Sequence, residues 1–598
     1  MLRRDLLKLI ALFPSMAAWP SAAIAQDTKP PRFIDAHCHV FNAHDLPIEK
    51  FVEKVMLPDL LNALKRKGTS KFLIKLFNSH AKAEGAFIAL LAATMRESTP
   101  DTVSEKAEVA KFGTTLTQND LIHRRADKEV GILARILRLI WEPTPGHHYF
   151  IPIVLNEVRA QIRREATSLA YPQDAYADPQ TDIDALGLIA SNLYFDEGPN
   201  RDRPIGYMMR WALRFGRNRF ELVDELSNMY AGRAKLLTPA FVDFDFWLDE
   251  PNWEADKAKR EFQLQQIDIM AAIARRPKGP RTHGFMCFDP LRHAFFVQRK
   301  RAGLAVGLSP LEIVQRAIDN GFIGVKLYPP MGFRPFNNDH IPLPSYVTDT
   351  ERGLGGDAGI AIDAALNELY AWCETKQVPI MAHANNSNES HPAYGARASP
   401  DNWRRLIDSN QFRNLRINLG HFGGFEEYFF NPIGPEKKIE ETWEWKVLQI
   451  WKAFPQATLY ADISYFNELL PLKFETEAKD KDAYQATRKQ VAEFWREYVR
   501  PSALSLTRLM YGSDWIMLGG ETGLPSFRPW NPQPERFYPD IVAEFLSEAG
   551  YKDFEIDQIL FKNAVEFLGL SSAHRDAARG RLEAFHAGTN IDWLTEFD

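Results

Sequence analysis

The sequence predicts an α/β fold, a (β/α)8 TIM barrel, and three observations support this prediction. Eight short apolar runs alternate with segments of helical spacing, which is the pattern of a parallel sheet built from β/α units. Four of these runs end in a histidine or an aspartate that precedes a loop. The length of 598 residues exceeds one ordinary domain but suits a large, elaborated barrel.

Eight predicted strands follow one another along the chain. In order they are Arg32–Val40, Leu237–Phe246, His283–Asp289, Phe322–Tyr328, Val378–His383, Leu415–His421, Ala457–Ile463 and Leu509–Asp514. Helical segments fall between them; for example, Ser309 can cap a helix that runs to Ile318, with Pro310 in its first turn. The barrel is therefore expected to comprise residues 32–42 and 236–570.

A long segment, residues 43–235, separates the first two predicted strands. Helical spacing occurs within it in Glu49–Lys65, Ser70–Met95 and Ile132–Trp141. A structureless loop of that length is implausible in a compact protein. We expect a large helical insert that packs over the barrel mouth and shapes the substrate pocket.

Two shorter additions complete the predicted domain organisation. Met331–Gly359 is rich in proline, asparagine and glycine, which is typical of a lid loop. Residues 571–598 are charged and are predicted to form a helical C-terminal extension.

Residues 1–25 have the three regions of an export signal: a charged start, an apolar stretch and a small-residue end. Arg3 and Arg4 precede two leucines and a lysine, a pattern that resembles the bacterial twin-arginine signal for proteins exported after folding. The alternative is an ordinary secretion signal that contains two arginines. Both predict a mature chain that begins near Gln26 and a periplasmic location, and the first adds the twin-arginine export machinery as a partner.

Composition excludes some classes of partner. The formal net charge is -6, so there is no basic surface to argue for nucleic acid binding. The apolar stretch of the signal is interrupted by prolines, and no later run reaches the roughly 18 apolar residues of a membrane span, so we expect no stable membrane span. Cys38, Cys287 and Cys373 lie in or beside apolar segments, and we expect buried thiols.

The histidines and the aspartate at strand ends predict a metal site. His37 and His39, two residues apart on a strand, project to the same face. Alone, this pair is weak evidence, and buried histidines would be the better explanation. However, His383, His421 and Asp514 each end a later strand, and imidazoles with a carboxylate suit zinc or a similar divalent ion.

Five short motifs resemble the amidohydrolase superfamily. They are Asp35–His39, Gly324–Leu327, Ala382–His383, Gly420–His421 and Gly512–Asp514. The most similar branch is the amidohydrolase-related group that includes aminocarboxymuconate semialdehyde decarboxylase and related hydrolases. The resemblance covers Arg32–Phe41 and about Leu237–Leu570, and it omits the insert.

The resemblance implies that His37, His39, His383 and Asp514 hold one divalent ion, with zinc favoured. His421 would lie close by and orient or deprotonate the water molecule that the ion activates. Asp514 would also take or relay a proton, so His421 and Asp514 are the expected catalytic residues. The alternative for Asp514 is a structural carboxylate in a turn.

Lys326 has two interpretations. Several members of the superfamily carry a carboxylated lysine at this strand end, which would bridge a second metal ion. We favour the alternative, an ammonium group that contacts a carboxylate of the substrate or of the barrel. Tyr328, Asn385, Asn386 and Trp515 are candidate substrate-binding residues by their position at or beyond strand ends.

Three functions are compatible with such a site. The first is a metal-dependent hydrolase that directs metal-activated water at a C–O or C–N bond of a small molecule. The second is a non-oxidative decarboxylase with the same metal site, and its product would lose carbon dioxide instead of gaining water. The third is a non-catalytic metal-containing binding protein.

Overall fold

The computed structural model describes a large part of the chain. The described residues are 31–51, 54–55, 101–112, 215, 217–230, 232–277, 279–424, 439–466, 469, 488–517 and 538–598. The predicted export signal, residues 1–25, lies outside them. So do the predicted helical segments Ser70–Met95 and Ile132–Trp141 and most of Glu49–Lys65.

Eight parallel strands are present in chain order. They are β1 (Phe33–Cys38), β2 (Ala234–Pro239), β3 (Phe285–Cys287), β4 (Gly324–Leu327), β5 (Ile380–His383), β6 (Ile417–Gly420), β7 (Leu459–Asp462) and β8 (Leu509–Met510). Strands β1 and β2 pair with each other, and β3 to β8 form a six-stranded sheet in sequence order.

Backbone hydrogen bonds connect these two sheets at both ends. Between β2 and the segment leading into β3, His283 N donates to Leu237 O at 3.0 Å. Between β8 and β1, Ala36 N donates to the carbonyl oxygen of Tyr511 at 3.1 Å. The two parallel sheets are thus linked by local backbone hydrogen bonds at both ends, and the order of strands and helices confirms the predicted α/β, TIM-barrel fold class.

The predicted strands have the right order but extend too far. The largest error concerns the second strand, predicted to run to Phe246, since β2 ends at Pro239 and a helical turn, Asp245–Leu248, follows shortly after it. Beyond Pro239 the chain still contacts β3 at one point, where Phe241 N donates to Phe285 O. The loss of regular pairing lets the chain turn over the barrel mouth.

His421 and Asp514 were predicted as the last residues of strands, and both lie just beyond them. Their φ angles are 66° and 53°, in the left-handed region that ends an extended strand. Asp514 N donates to His37 O at 2.7 Å, so the turn after β8 is fixed against β1. The functional side chains thus sit on the first turn residues above the barrel.

Helices surround the barrel and fill the connections. They are α1 (Ile48–Phe51), α2 (Thr102–Phe112), α3 (Arg219–Met229), α4 (Asp245–Leu248), α5 (Trp253–Ala274), α6 (Pro290–Arg301), α7 (Pro310–Asp319), α8 (Ser345–Thr348), α9 (Ala358–Lys376), α10 (Pro400–Ser409), α11 (Trp443–Ala453), α12 (Ser505–Arg508), α13 (Tyr538–Glu548), α14 (Asp553–Asp557), α15 (Asn563–Leu568) and α16 (Ala578–Phe585). Short 3-10 and π segments are Pro329–Met331, Gly355–Asp357, Gly395–Ala398, His421–Gly423, Ile439–Glu441, Trp495–Val499, Gln558–Lys562 and Asp592–Phe597.

The predicted cap of α7 is present. Ser309 Oγ accepts from Glu312 N at 3.2 Å, and the Glu312 carboxylate accepts from Ser309 N at 2.7 Å. This reciprocal pair satisfies two backbone N–H groups at the helix start.

The described parts of the segment between β1 and β2 include the helices α1, α2 and α3. Helix α3 is anchored by Arg219, whose guanidinium donates to the carboxylates of Asp45 and Glu105. All three side chains are buried, so the charges must stay paired.

The segment Met331–Gly359 packs against the barrel. Phe333 and Val347 are buried in the core, and Asn338 Nδ2 donates to Asp363 on α9 at 2.8 Å. In the C-terminal extension, Trp593 and Leu594 share an apolar cluster with barrel residues.

The three cysteines are buried free thiols, as predicted. Among the described residues, no helix is both long and apolar enough to cross a membrane.

Candidate metal centre

The carboxyl ends of the strands bring a group of polar side chains together. They are His37 and His39 of β1 and its end, Lys326 of β4, His383 of β5, His421 after β6, Asp462 of β7 and Asp514 after β8. All are buried, although they lie at the face of a barrel where chemistry usually occurs.

The orientation of His37 is set by a carboxylate. Its Nδ1 lies 3.0 and 3.2 Å from the two oxygens of Asp462. Because a carboxylate only accepts, Nδ1 carries the proton and Nε2 presents a lone pair to the centre of the group. Burial lowers the pKa of His37 to about 4, so the ring is neutral near pH 7.

His39 is oriented in the same way by a backbone carbonyl. Its Nδ1 lies 2.8 Å from Ala240 O, so this nitrogen donates and Nε2 points to Asp514. Nε2 is 3.0 Å from Asp514 Oδ1, and the corresponding distance from His37 Nε2 is 3.7 Å. An imidazole nitrogen and a carboxylate oxygen this close share a proton or ligate the same cation.

His383 and His421 form a contacting pair. His421 Nε2 lies 3.0 Å from His383 Nδ1, and His383 Nε2 lies 3.2 Å from Ser387 Oγ. Burial lowers the pKa of both imidazoles, and their mutual proximity adds to the effect at His383. Both rings are therefore neutral and able to accept a proton or ligate a cation.

One compact donor set stands out among the described residues. His37, His421 and Asp514 each offer a ligand atom, and these atoms lie within 4.8 Å of one another. His39 joins this set through Asp514, and His383 joins it through His421. The prediction that His383 ligates the ion while His421 lies beside it stays a prediction, because the two imidazoles are in contact.

Asp514 is held ionised. Burial alone would raise the pKa of its carboxyl, but the hydrogen bond from His39 and the nearby imidazoles outweigh it and lower the pKa to about 2. The donor set therefore combines neutral imidazoles with one carboxylate, which suits a divalent ion such as Zn²⁺.

Asp462 was missed by the sequence argument. It accepts hydrogen bonds from Asn418 Nδ2 at 2.6 Å and from the backbone N–H groups of His421 and Ser464 at 3.1 Å, besides facing His37. Burial raises the pKa of its carboxyl, but His37 and these donors outweigh burial and hold the pKa well below its usual range. A signal existed, since a carboxylate ends an otherwise apolar strand run, as Asp514 does.

Asp35 begins the motif Asp35–His39 but was not among the predicted site residues. It accepts from Tyr230 Oη and Ser513 Oγ, both at 2.7 Å, and from Ser513 N at 3.0 Å. Complete burial raises the pKa of Asp35 to about 7 despite these donors. Through Ser513 it fixes the turn that carries Asp514 to β1.

Lys326 contacts an imidazole. Its Nζ lies 2.9 Å from His37 Nε2, and the side chain is 1% exposed. Burial lowers the pKa of Lys326 to about 8, while the carboxylates of Asp462 and Asp514 oppose that shift.

The candidate substrate residues occupy different environments. The Tyr328 ring stacks on His383, with centroids 4.4 Å apart, and with Lys326 it lines a small cavity. Asn385 is half-buried and Asn386 is exposed, whereas Trp515 is wholly buried in the core. Tyr328 is thus the best placed of the four to meet a substrate.

Comparison with known proteins identifies one family. Residues 293–570 match the family model described as amidohydrolase, a range that contains Lys326, His383, His421 and Asp514. This match confirms the resemblance to amidohydrolases. No match was found among curated proteins.

Three solved structures are similar to this chain. The 2,6-dihydroxybenzoate decarboxylase complexed with 2,6-dihydroxybenzoate is 13% identical, covers 57% of this chain and 86% of its own, and has a TM-score of 0.29. An uncharacterized TIM-barrel protein from Bordetella bronchiseptica is 15% identical, with coverages of 66% and 92% and a TM-score of 0.29. The 2,6-dihydroxybenzoate decarboxylase from Rhizobium is 14% identical, with coverages of 58% and 87% and a TM-score of 0.28. At such low scores, the fold rests on the strands described above and not on these similarities.

Proposed function

We propose, from the match of residues 293–570 to the amidohydrolase family model, that this chain is a metal-dependent hydrolase that attacks a C–O or C–N bond of a small molecule with water. The observation that carries the proposal is the buried donor set of His37, His421 and Asp514, joined by His39 and His383. The site has candidate groups both for holding an ion and for moving a proton, so we favour an enzyme over the non-catalytic alternative.

The residues fit a divalent ion. The Nε2 atoms of His37 and His39 face the centre because Asp462 and Ala240 O contact the opposite nitrogens. With Asp514 they would hold the ion, and an imidazole of the contacting pair would complete the set. When bound, a divalent ion would act as a Lewis acid and lower the pKa of water towards about 7.

The proton-handling groups are His421 and Asp514. His421 is neutral because burial lowers its pKa, so it can take a proton from a water molecule that lies against it. Its contact with His383, 3.0 Å away, gives the proton a second imidazole to share. Asp514 is ionised and can accept a proton and return it to a leaving group.

A second candidate is a decarboxylase that uses the same donor set. Lys326 supports it, because a buried amine beside the site can neutralise a substrate carboxylate. In that reaction the substrate carbon–carbon bond breaks, carbon dioxide leaves, and a protonated residue supplies the proton that replaces it. Tyr328, stacked on His383, could then support a flat substrate.

The two reactions give different products. The purified protein, loaded with zinc or manganese, would be incubated with a panel of aryl esters, lactones and anilides and with a panel of unsaturated and aromatic carboxylic acids. Products that retain the elements of water support the hydrolase, and release of carbon dioxide supports the decarboxylase. His421→Asn is the matched variant, and products formed equally by parent and variant would contradict the proposed role of His421.

We also propose that the chain is exported to the periplasm by the twin-arginine machinery, with residues 1–25 as the signal. The proposal rests on Arg3 and Arg4 and on the apolar stretch that follows. Replacing both arginines by lysine should retain the precursor in the cytoplasm. Unchanged export of that variant would instead favour an ordinary secretion signal.

A further inference from the structure

The contact between Lys326 and His37 is unusual for a ligand of a metal ion. Lys326 Nζ lies 2.9 Å from His37 Nε2, and both side chains are buried. A charged lysine amine can only donate, so the Nε2 lone pair is the acceptor.

That lone pair cannot serve two partners at once. His37 Nδ1 faces both oxygens of Asp462 and therefore carries the ring proton. Nε2 is the single ligand atom of this ring. It either accepts from Lys326 or binds a cation.

The charges around Lys326 lead to the same exclusion. Asp462 and Asp514 are buried carboxylates that act electrostatically on its amine. Buried charges require compensation, and the ammonium group supplies it as a divalent ion would. A cation that enters the donor set would meet a positive charge already close to His37.

A small cavity lies next to the site. Lys326 and Tyr328 line a cavity together with Cys287 and Asp289. A rotation of the lysine stem would bring the amine from His37 towards this cavity.

We propose that Lys326 is a built-in competitor of the divalent ion: its amine holds the His37 lone pair, and ion binding displaces it towards the neighbouring cavity. The proposal rests on the proposed metal-dependent function.

The test measures metal affinity and not activity. Co²⁺ binding to the full mature chain would be measured at one fixed pH by competition with a chromogenic chelator. Lys326→Met removes the charge and the donor, and we expect affinity to rise at least about tenfold. A merely structural defect would lower affinity, so an increase is specific to competition.

Two further variants complete the experiment. Lys326→Gln is uncharged but can still donate to His37, so it should raise the metal affinity by less than Lys326→Met. If Lys326→Met does not fold, a higher affinity of Lys326→Gln than of the parent supports the inference, and an equal or lower affinity contradicts it. Lys452→Met removes an exposed charge on α11 and should leave affinity unchanged.

If the folded Lys326 variants bind Co²⁺ as tightly as the parent or more weakly, the inference is wrong. It is also wrong if the parent binds two ions per chain and the variants bind fewer, because that result would indicate a bridging lysine. These results leave the proposed function standing, because the parent still binds an ion. Binding of no ion by the parent or by any variant would overturn both.

Discussion

Replacement of Asp462 by asparagine should remove His37 from the metal site while leaving its side chain in place. The two oxygens of Asp462 face two groups of donors. Oδ1 accepts from the backbone N–H groups of His421 and Ser464, and Oδ2 faces Asn418 Nδ2 and His37 Nδ1. An asparagine has one oxygen, so its NH2 group must face one of these groups.

The backbone donors cannot turn away, so the amide oxygen should stay with them. The NH2 group then faces His37 Nδ1, which can accept only if the ring proton moves to Nε2. Nε2 would lose the lone pair that ligates. Changes to such supporting groups typically weaken metal binding about 10–100-fold, or about 1.4–2.7 kcal/mol. Poor pairing of the new amide should also lower the free energy of unfolding by about 1–3 kcal/mol.

Metal affinity and unfolding in urea would be measured on parent and variant, with the exposed Asp576→Asn as the matched control. The control should behave as the parent in both assays. A folded Asp462→Asn protein that binds the ion within about threefold of the parent would refute the tautomer argument.

Three further changes test the surroundings of the site. Tyr230→Phe removes the hydroxyl group that donates to Asp35 at 2.7 Å. It should lower the free energy of unfolding, measured in urea, by about 1–2 kcal/mol. Gly324→Ala places a methyl group 2.2 Å from the ring of Phe285 and should cost about 1–3 kcal/mol, so an unchanged urea midpoint would contradict the packing described. Burial lowers the pKa of His283 from 6.5 to about 3, so as the pH falls His283 is protonated in the unfolded chain before it is protonated in the folded one. Its contribution to the free energy of unfolding is therefore complete above about pH 6.5 and is lost as the pH falls towards 3. A His283→Gln variant should show a shallower loss of unfolding free energy between pH 7 and 4, and equal slopes would count against this assignment.

The sequence predicted the strands because apolar runs bounded by loops are local signals. It did not predict where they end. The second strand was predicted to reach Phe246 because Ala240–Phe246 contains many apolar residues, but these residues are buried beyond Pro239, where regular strand pairing ends. Tertiary packing accounts for the apolar pattern there, and periodicity alone cannot separate a strand from a buried turn.

The candidate ligands were identifiable because each ends a strand, but their supporting partners were not. Asp462 contacts His37 across 425 positions of sequence, and Tyr230 reaches Asp35 across 195. No local spacing encodes such pairs. For the same reason, local sequence does not show whether His383 or His421 would bind an ion. That depends on the turn after β6, where His421 has a φ of 66°.

Strand β1 explains why fold stability and the metal site depend on each other. Asp35, His37 and His39 alternate along one face, and each is tied to a different part of the fold. Asp35 holds the turn after β8 through Ser513, His37 O accepts from Asp514 N, and His39 Nε2 faces the Asp514 carboxylate. The contacts that link β1 to the segment after β8 are therefore the contacts that place Asp514 against the two imidazoles. A change that weakens these contacts should also move the donor atoms apart, so the free energy of unfolding and the ion affinity should fall together in variants of β1. In variants of Lys326 the ion affinity should rise without a matching change in the free energy of unfolding, because this side chain competes with the ion and does not link β1 to the segment after β8.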